Sequence, residues 1–334
     1  MSHSISIIIP IYNEEKYIKA CIQSILDSDF PKENMEILLV DGMSSDRTRE
    51  IIQNLSAEYN FILLLDNQKK TAPIAMNIGV KEAKGEYIFI LSAHARYDVN
   101  YFGTLVEYIN TLNADCVGGV LETDVKNKNI KSNAIKEVLM HPFGVGNASF
   151  RIGSNEIRLV DTVAFGCYRK NTFETYGLFN EKLTRNQDIE FNKRIVNGGG
   201  KIYLVPNVRS TYFARENFLD LAKNNFANGY WNILTAYYTN TFSSLSLRHF
   251  IPLLFVSSVL LPLFFIPVFP QIIYVSTISL LSYLTLVIIT SIRLKNDSNS
   301  IKYLVMSFLI LHFSYGIGSL QGIFSTIKKY IKGE

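Results

Sequence analysis

Between Phe250 and Ile292 the chain carries no Asp, Glu, Lys or Arg, and that single fact limits what its last third can become. A bilayer core takes roughly 20 apolar residues per helix, so the run is long enough for two passes with a break around Pro267 to Gln271. After the polar segment Arg293-Leu294-Lys295-Asn296-Asp297, Tyr303 to Ile323 is again uncharged and long enough for one more. Charge-free runs of this length outlast the helices of a globular core. The expected membrane helices are therefore about 250–270, 271–292 and 301–323. Arg248, Arg293, Lys295 and Lys302 favour the cytosolic side, whereas three full passes would put Lys328, Lys329 and Lys332 on the opposite side. The prolines at 252, 262, 267 and 270 mark the first apolar segment as the one to re-enter rather than cross.

Residues 1–245 read as a cytosolic α/β domain, followed by a membrane domain over 246–334. Ile5 to Ile9 is a continuous apolar run without alternation, as a central parallel strand covered on both faces requires. Tyr17, Ile18, Cys21, Ile22, Ile25 and Leu26 then recur at helical spacing. Met35 to Val40 and Phe61 to Leu65 are further strands, with helices over Asp46 to Tyr59 and about Ala72 to Ala83, and Tyr87 to Leu91 continues the alternation. Repeated β–α–β units imply a parallel sheet with right-handed crossovers. The apolar segment Ser4 to Pro10 is too short for a secretory signal and lacks its basic flank. Three widely spaced cysteines, Cys21, Cys116 and Cys167, suit reduced thiols of a cytosol-facing domain. A net charge of +4 with no basic run interleaved with aromatics gives no ground for a nucleic-acid partner.

Ligands on such sheets bind beyond the carboxyl ends of the strands. The residues there are Pro10 to Glu14, Asp41 to Ser44, Asp66 to Lys70 and Ser92 to Asp98, polar where the strands are not. No Gly-x-Gly-x-x-Gly follows the first strand and no Walker lysine loop is present, so a nucleotide would be held by side chains. Gly118-Gly119 and Gly198 to Gly200 read as turns, the latter ending a helix from Asp188 to Asn197 before a strand over Lys201 to Val205.

The segments Ile7-Ile8-Ile9-Pro10-Ile11-Tyr12-Asn13-Glu14-Glu15 and Leu39-Val40-Asp41-Gly42-Met43-Ser44-Ser45-Asp46-Arg47-Thr48 resemble the opening of family 2 glycosyltransferases. Asn77-Ile78-Gly79, Ala83-Lys84-Gly85-Glu86-Tyr87-Ile88 and Arg185-Asn186-Gln187-Asp188-Ile189-Glu190-Phe191 extend the likeness over roughly the first 240 residues. Ala93-His94-Ala95-Arg96-Tyr97, Val160 to Gly166 and Arg209 to Tyr212 look like the bacterial exopolysaccharide transferases of the succinoglycan type. The resemblance implies a GT-A fold, a UDP-sugar donor, an inverting transfer and a divalent metal, Mn2+ or Mg2+. It implies Asp188 as the catalytic base, Asp41 as acceptor of the uracil N–H, and Pro10, Tyr12 and Glu14 along the uridine side. Lys69 or Lys70 would reach the diphosphate. Gln187 stands where the family usually has Glu, which removes a like charge that would raise the pKa of Asp188.

The family's Asp-x-Asp metal pair is replaced by Ser92 and His94. An imidazole can ligate Mn2+, although oxygen suits Mg2+ better. Ser92 would at best be a weak ligand, Asp98 could supply a carboxylate, and His94 with Arg96 could instead neutralise the diphosphate directly. Phe218 to Tyr238 is helical and aromatic-rich; it suits either the membrane interface or core packing, and Trp231 could stack on an acceptor sugar. The reading is a multi-pass protein of the cell membrane whose catalytic domain faces the cytoplasm, extending a lipid-linked saccharide acceptor. The alternatives are transfer directly to polyprenyl phosphate and a non-catalytic scaffold of a glycan assembly complex. A processive synthase would carry Gln-x-x-Arg-Trp, which is missing.

Overall fold

The structure is a computed structural model and describes residues 4–332. In chain order the elements of the first half are β1 (Ile5–Ile11), α1 (Ile18–Leu26), β2 (Met35–Asp41), α2 (Thr48–Glu58), β3 (Ile62–Asp66), α3 (Ala72–Glu82), β4 (Tyr87–Ile90), β5 (Ala95–Tyr97), α4 (Tyr101–Thr111) and β6 (Cys116–Asp124). There follow α5 (Ile130–Met140), α6 (Pro142–Val145), α7 (Ser149–Ile152), β7 (Arg158–Leu159), β8 (Cys167–Arg169), α8 (Lys170–Tyr176), α9 (Gln187–Asn197) and β9 (Ile202–Phe213). Four long helices close the chain: α10 (Phe218–Thr239), α11 (Ile251–Phe265), α12 (Ile273–Leu294) and α13 (Ile301–Lys332).

The strands form one sheet in the order β3-β2-β1-β4-β8-β6-β9-β5, with β7 on β9. The first four are parallel, as the apolar runs require: Ile8 of β1 lies between Leu38 of β2 and Ile90 of β4, all three buried. β8 turns antiparallel to β4, and β5 runs antiparallel to β9. Helices cover both faces, giving one buried cluster around Ile7, Ile9, Phe89 and Phe102 and another around Ile8, Leu38, Phe173 and Phe191. Gly118 and Gly119 are not a turn. They lie inside β6, where an added Cβ would collide with Val163 and with the carbonyl of Val208; both glycines let neighbouring chain approach the strand.

The chain divides into two compact units. One comprises residues up to Glu122 together with Ser149–Phe213. The other gathers Thr123–Ala148 and the residues from Ala214 onward. Within the second unit α10 lies along α13. An added Cβ on Gly229 would strike the carbonyl of Tyr315, and one on Gly318 the carbonyl of Phe226. α10 thus packs against α13, and Ser319 Oγ donates to the carbonyl of Gly229 at 3.1 Å. Leu247–Phe265, Pro270–Leu294 and Ile301–Lys332 are long and apolar enough to cross a membrane. Within the first of them, α11 has 15 residues, about 22 Å, short of a hydrocarbon core of about 30 Å.

Candidate active site

The carboxyl ends of β1 and β2 carry two loops laced together by their own polar groups. Asn13 N–H donates to Ser44 Oγ at 2.8 Å, and Ser45 N–H to Asn13 Oδ1 at 2.8 Å. Glu14 N–H donates to Thr48 Oγ1 at 2.8 Å. Asn13 and Met43 adopt left-handed φ of 56° and 60° to turn the chain. Gly42 sits where a Cβ would stand 3.3 Å from Tyr12 and 3.4 Å from the Lys70 backbone, so these two expected donor-side residues share a wall. Tyr12 is half exposed, as a platform for a base would be. Pro10 stands at the strand end beside Val40.

Asp41 is placed differently from the expectation. Its carboxylate is fully enclosed and accepts from Ser44 N–H at 3.0 Å, Ser44 Oγ at 2.5 Å and Arg49 Nη1 at 2.7 Å. The same guanidinium nitrogen bridges to Asp66 at 2.8 Å. With three donors already on its two oxygens, Asp41 organises the loop that a base would lie against.

The Ser92–His94 segment is held rigidly. Ser92 N–H donates to the Tyr97 hydroxyl at 2.9 Å, that hydroxyl donates to the Ser92 carbonyl at 3.1 Å, and Cys21 Sγ donates to the same carbonyl at 3.4 Å. Burial and the nearby Glu14 push the Cys21 thiol up to about 12, so it acts as a packed thiol. His94 Nδ1 lies 3.2 Å from Glu14 Oε1. Glu14 thus reaches the histidine with one of its carboxylate oxygens. The His94 ring meets Tyr17 and Tyr212 edge-on, at 6.3 and 5.3 Å between centroids.

Asp98 does not join His94. Phe213 N–H donates to the His94 carbonyl and Asp98 N–H to the Arg209 carbonyl, so the two residues sit at opposite ends of β5. Four strand residues span about 13 Å, too far for one ion. Asp98 instead stands near Glu122 and Arg209, where burial and Glu122 raise its carboxyl pKa. Arg96 is exposed, with its guanidinium 5.5 Å over Phe213. Among the described residues no three His, Cys, Asp or Glu side chains gather into a group that could hold a metal alone.

Asp188 opens α9, entered through Asn186 at a left-handed φ of 61°. One turn on, buried Asn192 accepts from the Tyr168 hydroxyl at 2.9 Å and donates to Thr162 Oγ1 at 2.8 Å. The Val160–Gly166 block thus fixes the helix that carries Asp188. Glu190 points away and pairs with Arg194 at 2.8 Å. Burial pushes the Asp188 carboxyl above the usual carboxylate range, offset by the N–H groups of Ile189 and Asp188 and by the charge of Arg151. Loss of the neighbouring acid therefore does not leave an ordinary carboxylate, because desolvation replaces charge repulsion as the cause of the raised pKa. Gln187 Oε1 is buried and has no hydrogen-bond partner among the described residues.

Arg151 and Tyr212 complete the constellation. The Arg151 guanidinium lies 5.7 Å over the Tyr212 ring, and Tyr212 touches His94. A continuous series of contacts and fields thus joins Glu14, His94, Tyr212, Arg151 and Asp188. Tyr212 stood in a motif block without a role, and nothing in the sequence singled out Arg151. Trp231 lies on α10 in the second unit, edge-on to Tyr230.

Parallel β1–β4, continued through an antiparallel β8 to β6, with polar loops at the strand ends, define a GT-A α/β domain. The family model described as "Glycosyl transferase family 2" matches residues 6–173, and the chain belongs to that family. It is 33% identical over 248 residues to the dolichyl N-acetyl-alpha-D-glucosaminyl phosphate 3-beta-D-2,3-diacetamido-2,3-dideoxy-beta-D-glucuronosyltransferase of Methanococcus voltae, covering 69% of this chain and 76% of that one. It is 29% identical over 230 residues to the succinoglycan biosynthesis protein ExoA of Rhizobium meliloti (strain 1021), covering 68% of each. The mannosyltransferase PcManGT from Pyrobaculum calidifontis, solved with GDP-Man and Mn2+, shares the fold with a TM-score of 0.61 at 13% identity, over 97% of this chain and 88% of that one.

Proposed function

We propose that this family 2 glycosyltransferase is inverting and moves a sugar from a UDP-sugar to a polyprenyl-diphosphate-linked oligosaccharide at the cytosolic face of a membrane. The observation that carries the reading is the half-buried Asp188 carboxylate at the start of α9, its pKa raised by burial, joined through Arg151 and Tyr212 to His94. An inverting transfer needs one base, in line with the acceptor hydroxyl and opposite the leaving diphosphate. Asp188 takes the acceptor's proton as its oxygen bonds to the anomeric carbon, and the bond from that carbon to the diphosphate oxygen breaks with its electron pair. A partly desolvated carboxylate is a stronger base than a fully hydrated one. Gln187 Oε1, buried and unpaired, accepts from an acceptor hydroxyl. On the donor side Tyr12 and Pro10 face the base, Asp41 holds their loop, and Lys70 with Arg96 favours the diphosphate.

The chain suits a divalent ion held through one imidazole rather than a carboxylate pair. With Nδ1 turned to Glu14, the other ring nitrogen is free to ligate, the arrangement a metal-binding histidine commonly shows. Bound there with Ser92 nearby, Mn2+ or Mg2+ would neutralise the leaving diphosphate. The lipid-linked acceptor is supported by the activity in the name of the Methanococcus voltae relative and by helices able to enter a bilayer. That relative's name specifies a dolichyl phosphate sugar, so a monophosphate-linked acceptor is the second reading.

A screen of UDP- and GDP-sugars against polyprenyl-linked acceptors, with and without EDTA, tests the proposal. Transfer from a UDP-sugar to a diphosphate-linked saccharide, with inverted anomeric configuration, is expected. Transfer only from GDP-sugars, or retention of configuration, contradicts it.

A further inference from the structure

Arg151 is a half-buried cation of the site to which the reading above gives no anion. It stands on α7, between Gly146 and Gly153, both with positive φ. Its guanidinium lies 5.4 Å over the Phe150 ring and 5.7 Å over the Tyr212 ring. Among the described residues no carboxylate comes within ion-pair distance of it, and Asp188 acts on it through its field alone. Half-buried basic groups elsewhere in the first unit are paired: Arg49 with Asp41 and Asp66, Arg194 with Glu190, and Lys193 with Asp161. Arg169 donates to the carbonyls of Ala114 and Ile109.

An arginine cannot shed its proton in a protein, and its five N–H donors form a rigid fork that matches a phosphate. Ring contacts fix such a side chain from its faces without consuming those donors. A half-buried guanidinium that pairs with no carboxylate among the described residues keeps its donors for a ligand, which points to an anion arriving with the substrates. Tyr212 ties this position to His94, and the field of Asp188 ties it to the base.

We propose that Arg151 is a phosphate-binding residue, its fork gripping a phosphate oxygen pair while the Phe150 and Tyr212 rings hold its plane. The inference rests on the transferase reading above, in which two phosphates approach the site: the donor's diphosphate and the phosphate that joins the acceptor to its lipid. Both present the same chemistry, and the test separates them.

Full-length protein in nanodiscs would be titrated with UDP, GDP and uridine, and separately assayed against vesicles with and without polyprenyl phosphate. A donor grip predicts that Arg151→Gln weakens diphosphate binding at least tenfold and leaves uridine binding unchanged. A lipid grip predicts that nucleotide binding is unchanged while polyprenyl-phosphate-dependent retention falls at least tenfold. Arg151→Lys, which keeps the charge and loses the planar fork, should fall between wild type and Arg151→Gln, and it serves if the glutamine variant does not fold. Variants that bind both phosphates as wild type does overturn the proposal, as does wild-type protein that binds neither. Preference for GDP over UDP in the wild type would instead overturn the donor assignment and leave Arg151 in place.

Discussion

The loops at the ends of β1 and β2 and the group formed by α7, α9 and His94 are both polar, yet they use their polar groups in opposite ways. In the first, Asn13, Ser44, Thr48, Asp41 and Arg49 bond to one another. In the second, among the described residues, Gln187 Oε1 has no partner and Arg151 makes no ion pair, and burial raises the pKa of Asp188. Buried polar groups ordinarily find partners, and each one left alone costs about 1–3 kcal/mol. The difference teaches that the donor-side wall is shaped by the fold itself, whereas the other region is completed by what it binds.

Exchanging the behaviour of the two regions should break the comparison. The largest effect is expected from Asp188→Asn, with turnover falling about 10³-fold, within the 10²–10⁴ range of general-base catalysis, and nucleotide affinity unchanged by calorimetry. Arg49→Gln should do the reverse. It strands a buried Asp41 carboxylate and should lower folding stability by about 3 kcal/mol, measured by thermal unfolding, while the folded fraction keeps its turnover. His94→Ala should reduce transfer about 10- to 100-fold, the range for losing a tuned metal contact. Added EDTA separates an ion site, where it mimics the substitution, from a direct diphosphate contact, where it has no effect. Ser44→Ala, which removes one donor to Asp41, should cost about 1 kcal/mol of stability and leave turnover intact.

The sequence made the parallel half of the sheet legible because β1, β2, β3 and β4 are apolar runs bounded by polar loops. The antiparallel half was hidden. β5 and β8 have three residues each, too few for a periodic signal, and Gly118-Gly119 imitated a turn inside β6. The strand after α9 was expected to stop at Val205, yet β9 continues to Phe213, with exposed and buried residues alternating from Asn207 to Ser210. Asp98 was grouped with His94 because spacing along a loop gives no account of the register of β5 on β9. Asp188 could be found because it opens a helix ended by glycines within a motif. Arg151 could not, since its meaning lies in what surrounds it and what does not. The enclosure of Asp41 was likewise invisible, being set by Arg49 eight residues on.

The comparison rests most heavily on Asp188, which is held at a cost to the fold for the sake of the reaction. Its folded-state pKa is raised by burial, so ionisation destabilises the fold at pH above that value, and the penalty vanishes as pH falls below the unfolded carboxylate range. The direct measurement is the thermal midpoint of wild type and Asp188→Asn across pH 4 to 8, taken beside turnover. The account predicts an inactive variant that is more stable than wild type near pH 7, with the gap closing as pH falls. A variant that is less stable at neutral pH, or one that still transfers sugar, would contradict it.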